Sequence, residues 1–592
     1  MNNNPFAILT PEEMSAEQAN QLFVEMYSDF PTIKRPGNSI ISGARGCGKS
    51  MFIRCCLPDV QMIKQGNNTN FEDLEDLTFW VCCEKTYPRI TEFDALKDIH
   101  SPYRINEHFL ALHVLMSALH QLSTTIFNQY VEDEYRAFFQ DTYSRYMRLS
   151  WCKDTITPDY SNANRFFASL YRHTEELQSQ LLLYPQQFTL NTDIEDYTYN
   201  MPILSFAGFI VPVFTQLVTL TGFPKNKNVI IYIDDADNLS LIQTRILNSW
   251  ISSRTQPKIS LKITTQIGLY KTYLTSDGVL IESPHDFKAV NISIKHTTSA
   301  IEKYFDKAVE ILEKRLQLAR IDSSPNDFFP PNQEQELQIN ELKLHAHNDN
   351  ERQNAVPNYI TSLTQRTSFN YAGLKHIINL SSGIIRFLLD SASDMYDEQC
   401  AELGIQEGET ISQISYQIQD RVLRAQADTF LYSEMKKSCK SESLAPIESP
   451  YNDIEKLQNL IVSMGRTFHE YLVDRTKVRR NILAIRLSSS IIDDQVKDVL
   501  QLGVRLGFLH EYRAANIEGN GRTLLFKLNR CLAPLFTLDP VSTWTSISVT
   551  NDSLLKAIKD AKPLRTESNL EDDNWVQLEL FDFADEVGIY GE

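Results

Sequence analysis

The sequence predicts an α/β core built on a parallel sheet with flanking helices, interrupted by a large helical insertion and followed by a helical lid and a C-terminal winged-helix domain. Three observations predict this. A glycine-rich loop lies between a short apolar strand and a helix at residues 38–57, an apolar strand ends in acids at 228–240, and a helix runs into a glycine-turned hairpin at 488–529. The chain of 592 residues is too long for one core, and at about 100–200 residues per domain it divides into several.

The first element is the most specific. In "NSIISGARGCGKSMFIRCCL", Gly43, Ala44, Arg45, Gly46, Cys47, Gly48, Lys49 and Ser50 fit G-x-x-x-x-G-K-[ST] without a mismatch. A strand at Ser39–Ser42 feeds the loop, and an amphipathic helix beginning near Lys49 leaves it, the order that a P-loop requires. Glycines let backbone N–H groups turn inward around phosphate oxygens, and the helix N-terminus adds positive potential. Lys49 reaches the outer phosphates and the Ser50 hydroxyl ligates Mg²⁺, so residues 43–50 with Met51 are the expected ATP contacts.

The second element, "NVIIYIDDADNLS", supplies the partner motif. Asp234 at the strand end is the expected Mg²⁺ carboxylate, and the next residue, which in many such ATPases is a glutamate that polarises the attacking water, is here Asp235. An arm one methylene shorter predicts slow hydrolysis. Asp235 and Asp237 also suit turn formation and helix capping, because "DADNLS" is a helix-start sequence. Downstream, "KISLKITTQIG" (258–268) reads as the next core strand, whose Thr264, Thr265 or Gln266 could sense a terminal phosphate, and Arg254 is a candidate finger for a neighbouring site.

Composition narrows the function classes. Hydrophobic residues at 42% and charged residues at 22% are ordinary for a globular protein. The most apolar window, residues 201–223, is broken by prolines and polar residues and reads as a buried helix. The N-terminus lacks the basic and apolar regions of a secretion signal, and the nine cysteines form no C-x-x-C spacing, which together predict a cytoplasmic protein with buried thiols. A formal net charge of -19 argues against nonspecific coating of nucleic acid, so any DNA contact is local.

The organisation follows in chain order. A lead-in (1–37) precedes the ATPase core (38–295), in which a helical insertion at about 88–222 separates the two phosphate-site motifs. Its aromatic stretches read as core rather than as a base-stacking platform. A lid (296–400) begins with the long amphipathic pattern 297–321, meets a proline-marked break at 322–336, and ends in two helices joined by Ser381, Ser382 and Gly383. A helix and linker (401–456) lead to the winged-helix-like segment (457–540), and an acidic tail (541–592) closes the chain.

With the P-loop, the acid strand and this lid, the chain resembles AAA+ ATPases, most closely the initiator clade that includes the origin-recognition-complex proteins, and their relatives among STAND signalling ATPases. The resemblance implies that Arg386, in a loose G-x-x-R match beginning at Gly383, touches the phosphates of bound ATP. It also covers the winged helix. There Arg475, Lys477, Arg479 and Arg480 form a basic cluster, and Arg522, Lys527 and Arg530 decorate the hairpin as a candidate duplex-DNA face. Asp493 and Asp494 open the helix where base-reading residues would lie, which leaves protein contact open as well. In the tail, Gln577, Leu578, Leu580 and Phe581 fit Q-L-x-L-F, similar to the peptide that bacterial replication proteins insert into the sliding clamp.

Two functions remain in view. One is a slowly hydrolysing switch ATPase that oligomerises with ATP and works with a partner effector in a bacterial antiphage defence system, favoured by the long helical insertion and the acidic composition and by a resemblance carried by the lead-in "NPFAILTPEEMSAEQANQLFVE". The alternative is a DNA-binding initiator or loader, recruited through the winged helix and the clamp-like tail. Neither implies a membrane partner.

Overall fold

The computed structural model describes residues 4–27, 30–66, 69–83, 102–152, 156–190, 202–225, 227–253, 258–292, 298–363, 368–405, 409–434, 453–477, 480–487, 492–515 and 522–565. Packing divides the chain into two units, one of Thr10–Gly43 and Gly48–Ile292, the other of Met1–Leu9, Ala44–Cys47 and Ser293–Asp582. Residues 566–592, the end of the tail, lie outside the described residues.

The first unit is an α/β layer structure. Five strands, β1 (Ser39–Gly43), β2 (Asp76–Cys82), β3 (Asn228–Asp234), β4 (Ile259–Gln266) and β5 (Lys288–Asn291), pair in the order β2-β3-β4-β1-β5. Every pairing is parallel. Strands covered on both faces must be apolar on both faces, and the runs "VIIYI" and "LTFWV" meet that demand with every residue buried. The register sets Gly43 beside Gln266 and Cys82 beside Asp234. The carboxyl ends of β1, β3 and β4 therefore share one edge, where ligands of open α/β sheets bind. Strand β4 lies between the P-loop strand and the acid strand.

The segment between β2 and β3 is helical where it is described. Helices α1 (Pro102–Thr124) and α2 (Ala163–Leu190) pack together, and their buried Phe109, Leu115, Phe166 and Phe167 are continuous with the core under the sheet. The aromatics are core: Tyr135 lies edge-on to Phe166 with ring centroids 5.3 Å apart, and both are fully buried. Gln121 of α1 explains what the insertion does for the sheet. Its amide donates to the Trp80 carbonyl at 2.9 Å and accepts the Trp80 N–H at 3.1 Å, satisfying the free edge of β2 that would otherwise stand open to pairing.

In the second unit, α3 (Thr298–Leu318), α4 (Leu374–Leu380), α5 (Ile385–Leu403) and α6 (Tyr416–Asp428) form the helical part. The proline-marked break is ordered around aromatics: Phe328 and Phe329 are fully buried against Phe6, with centroids 5.8 and 5.6 Å from it. Arg315 of α3 donates to the Pro5 and Ala7 carbonyls at 3.0 and 3.1 Å, and Asn4 bonds Ser393. The start of the lead-in is thus a packing element of this unit.

The C-terminal part holds α7 (Asp453–Val473), β6 (Ile482–Leu487), α8 (Asp494–Arg505), β7 (Leu509–Ala515), β8 (Arg522–Leu528), β9 (Thr545–Val549) and α9 (Asn551–Asp560). The sheet order is β7-β8-β6-β9, with β6 and β9 parallel and the other pairs antiparallel. The expected helix and hairpin are present. Residues 545–560, assigned by the sequence reading to the tail, complete this domain: Ile547, Val549, Leu554, Ala557 and Ile558 are buried in it. Among the described residues a single helix, α8, separates β6 from β7.

Candidate functional site: the P-loop and the acid strand end

Strand β1 delivers the chain into the loop, and the helix Lys49–Cys56 leaves it. Gly46 at φ +79° and Gly48 at φ +101° supply the left-handed backbone that turns the loop, a conformation costly for residues with a Cβ. Arg45 is exposed, Cys47 is buried, and Met51 is half-buried on the first turn. Lys49 is only 6% exposed, and its Nζ donates to the Gly43 carbonyl at 2.9 Å. The ammonium is thereby held back along its own loop.

At the end of β3, Asp234 is fully buried. Its Oδ1 accepts the Thr264 hydroxyl and, at 3.1 Å, the Asp235 N–H. The same N–H also reaches Thr264 Oγ1 at 3.1 Å. Oδ2 is buried with no hydrogen-bond partner. Burial raises the carboxyl above its ordinary value of 3.8, opposed by Thr264, by Ser50 and by the Lys49 charge. A buried carboxylate oxygen without a donor, with the Ser50 hydroxyl and Lys49 beside it, is the donor set that a hard cation on phosphate requires, so the residues fit Mg²⁺.

Asp235 sits in the left-handed region at φ +53°, ψ +44°, where Asp and Asn are the tolerated non-glycine residues. Asp237 is engaged elsewhere: its carboxylate accepts the Gln266 backbone N–H at 3.1 Å and the Gln266 side-chain amide at 3.0 Å. Of the three residues expected as phosphate sensors, Thr264 therefore clamps Asp234 and Gln266 clamps Asp237. Thr265 is buried, with its hydroxyl on the Gln266 carbonyl at 3.2 Å. Neither clamp was legible as such in the sequence. The available signal was polar residues at the end of the strand that the register sets between the two motifs.

Arg386 is the second residue of α5, and the packing unit that contains it also contains Ala44–Cys47. Its backbone N–H donates to the Gly46 carbonyl at 3.1 Å, while the residue is exposed overall. A Cβ on Gly46 would stand 2.5 Å from Arg386 Cβ, so glycine is required there for contact as well as for φ. Arg254 lies outside the described residues.

The basic face expected on the winged helix is largely internal. Arg480 is 3% exposed and bonds Asn358, Lys527 is fully buried, and Arg530 is buried with Nη1 on Asn379 Oδ1 at 2.9 Å. These three are corrected from surface to core. The reason is strand alternation: Lys527 pairs with His510 and Ala484 on the central strand β8, on an inward face. Arg475 is exposed and Lys477 half-buried. Arg479, the Arg522 side chain and the tail residues Gln577, Leu578, Leu580 and Phe581 lie outside the described residues. On α8 the exposed positions include Asp494 and Asp498, and Asp493 caps the helix by accepting the Gln495 N–H at 3.0 Å. Among the described residues no helix is long and apolar enough to cross a membrane, and no cluster of His, Cys, Asp and Glu is arranged to hold a metal by itself.

A family model described as ORC-CDC6-like matches residues 4–354 and 330–543. No curated protein matches the chain. Among solved structures, the chain is similar to the Aeropyrum pernix ORC1 protein in complex with DNA, at 10% identity and TM-score 0.26, covering 89% of this chain and 92% of that one. It is also similar to CDC6P from Pyrobaculum aerophilum, at 11% identity and TM-score 0.25, covering 95% and 99%. Drosophila ORC bound to DNA is similar at 10% identity and TM-score 0.17, covering 62% and 81%.

Proposed function

The chain belongs to the ORC-CDC6-like family, and from that premise and the geometry of the loop we propose that it is an ATP-binding, slowly hydrolysing switch that associates with duplex DNA. One observation carries the nucleotide half: the free, fully buried Oδ2 of Asp234, with Ser50 and Lys49 beside it.

In this reading the loop glycines present backbone N–H groups to the phosphates, and Lys49 exchanges the Gly43 carbonyl for an outer phosphate oxygen. Ser50 and Asp234 would hold Mg²⁺, which when bound neutralises charge on the phosphates. Thr264 keeps the Asp234 carboxylate aimed, and Asp235 orients the attacking water with a short arm fixed by its left-handed backbone. Low intrinsic turnover, rising on homo-oligomerisation, follows from that short arm. Arg386, whose N–H holds the loop at Gly46, is placed to respond when the loop fills.

The DNA half rests on the family and on the exposed Arg475 with its neighbour Lys477. The family match favours this initiator-like reading over the defence switch, and Phe6 and Asn4 of the lead-in serve packing. The test is nucleotide affinity of wild type against Lys49→Ala, followed by duplex binding across salt concentrations with and without ATP. Four phosphate contacts, from Arg475, Lys477, Arg479 and Arg522, give a log–log salt slope of about −3.6, and Arg480→Ala should not reduce it. Equal ATP affinity in wild type and Lys49→Ala defeats the nucleotide half; no duplex binding at low salt defeats the other.

A further inference from the structure

The C-terminal sheet has one face whose chemistry the proposed function does not use. Leu509 packs against Gly503 of α8, and Phe526 and Leu528 share that helix-covered face. Alternation sends His510, Tyr512, Leu525 and Lys527 to the opposite side. There the Lys527 ammonium is fully buried with no hydrogen-bond acceptor among the described residues, and the half-buried Trp544 ring covers it, its centroid 4.3 Å from Nζ. Arg530 points at the same cluster. Its Nη1 is satisfied by Asn379 and its backbone N–H by Ser382 Oγ at 3.3 Å, but its Nε is buried with no acceptor. His510 Nε2 lies 3.2 Å from Ser382 Oγ on the same rim.

No carboxylate forms an ion pair with Lys527 or Arg530 among the described residues. Asp539 is the acid that bears on Arg530, and its Oδ1 is spent on the Val541 and Ser542 N–H groups at 2.9 and 3.1 Å. Its Oδ2 has no partner, so it too stops short of the cations. Burial, and then the neighbouring Arg530, push the Lys527 amine well below its ordinary range. Burial, then Lys527 and Arg530, push His510 down to about 3. Two buried basic groups from different segments, Asp539 the acid that bears on one of them, keep unspent donors at Lys527 Nζ and Arg530 Nε that an anion would satisfy.

We propose that Lys527 Nζ and Arg530 Nε, rimmed by Ser382 and Trp544, bind a phosphate-type oxyanion. Charge-assisted donors of this kind are matched by phosphate oxygens. The oxyanion is either free phosphate or a phosphodiester of nucleic acid.

The experiment uses the full chain carrying Lys49→Ala, so that the P-loop does not contribute and failure here leaves the ATP reading untouched. Calorimetric titration with inorganic phosphate forms one arm and with a short duplex oligonucleotide the other. Saturable binding is expected in at least one arm, with a change in Trp544 fluorescence that Trp544→Phe removes. Lys527→Met should weaken that binding at least about tenfold while the melting temperature holds or rises, because a buried cation is replaced by an apolar chain of similar length. Arg530→Gln is the second variant. Dependence confined to the duplex arm assigns the phosphodiester, and dependence in the phosphate arm assigns the free ion. The proposal is overturned if neither arm binds, if Trp544 does not respond, or if folded Lys527→Met and Arg530→Gln bind as the parent does.

Discussion

Replacing Asp234 by Asn separates what this residue does for folding from what it does for chemistry. The fully buried carboxylate has one satisfied oxygen, held by Thr264 and the Asp235 N–H, and one, Oδ2, with no partner. A buried polar atom without a partner costs about 1–3 kcal/mol, and more when charged. Asn keeps the accepting oxygen for Thr264 and Asp235 and puts a neutral amide where the charge was, a net gain of about 1–2 kcal/mol at neutral pH. For a unit of this size that raises the melting temperature by about 2–8 °C. The pH dependence has a definite sign. The folded carboxyl titrates above its ordinary 3.8, chiefly through burial, so its contribution to stability is fully present below that value and is lost as pH rises through the raised one. The advantage of Asn over Asp should therefore be small near pH 4 and grow toward neutrality. Calorimetric unfolding of the nucleotide-free protein across this range, with chelator, measures the stability, and Mg²⁺-dependent ATP turnover measures the chemistry, which should fall by about a hundredfold or more. An Asn variant that melts below wild type at neutral pH, shows a pH-independent difference, or still hydrolyses Mg²⁺-ATP would refute the assignment of Oδ2.

Three further outcomes follow from the same geometry. Thr264→Val removes the hydroxyl donor to Asp234 and an acceptor for the Asp235 N–H, so it should destabilise by about 1–3 kcal/mol and slow turnover, read by denaturant melts and steady-state kinetics. Asp235→Asn keeps a residue suited to φ +53°, so stability should change by no more than about 0.5 kcal/mol, while kcat falls about a hundredfold at unchanged ATP affinity. Gly46→Ala must adopt φ +79° and place a Cβ 2.5 Å from that of Arg386; left-handed strain and overpacking together cost about 2–4 kcal/mol, visible as a lower melting temperature without nucleotide.

Three strands of the α/β unit were legible because parallel strands buried on both faces must be apolar throughout, and "IISG", "LTFWV" and "VIIYI" announce that by composition, while "KISLKIT" was legible by alternation. The P-loop was legible because phosphate binding fixes residue types at fixed spacing. What the sequence left open is lateral. Asp237 was weighed as turn former or acid, and only the register that brings Gln266 alongside shows its carboxylate already spent. Gln121 gave no signal at all, since a lone glutamine on an apolar helix matters only when an edge strand lies against it. The end of the C-terminal domain was missed for a related reason: "TSISV" is too polar to read as core, yet alternation buries Ile547 and Val549 while the serines face the other way.

The basic residues of the winged helix show why charge counted along a chain differs from charge presented to a partner. A lysine in "TLLFKLN" alternates out of the apolar face, and the usual inference sends it to solvent. That inference requires the second face of the sheet to be open. Here it meets Trp544, and Asn379 and Ser382 bond Arg530 beside it, so Lys527 and Arg530 are enclosed. Arg480 is withdrawn in the same way by Asn358. Of the residues expected to form the basic face, Arg475 and Lys477 remain accessible among the described residues, while α8 shows Asp494 and Asp498, and at its far end Arg505, to solvent. The acids in its first two turns disfavour an approach of this helix to phosphates flanking a major groove, and among the described residues α8 is the one helix between β6 and β7. In the proposed function duplex contact would then run through Arg475, Lys477, Arg479 and Arg522 to phosphates rather than base edges, which would position the protein on DNA without selecting sequence.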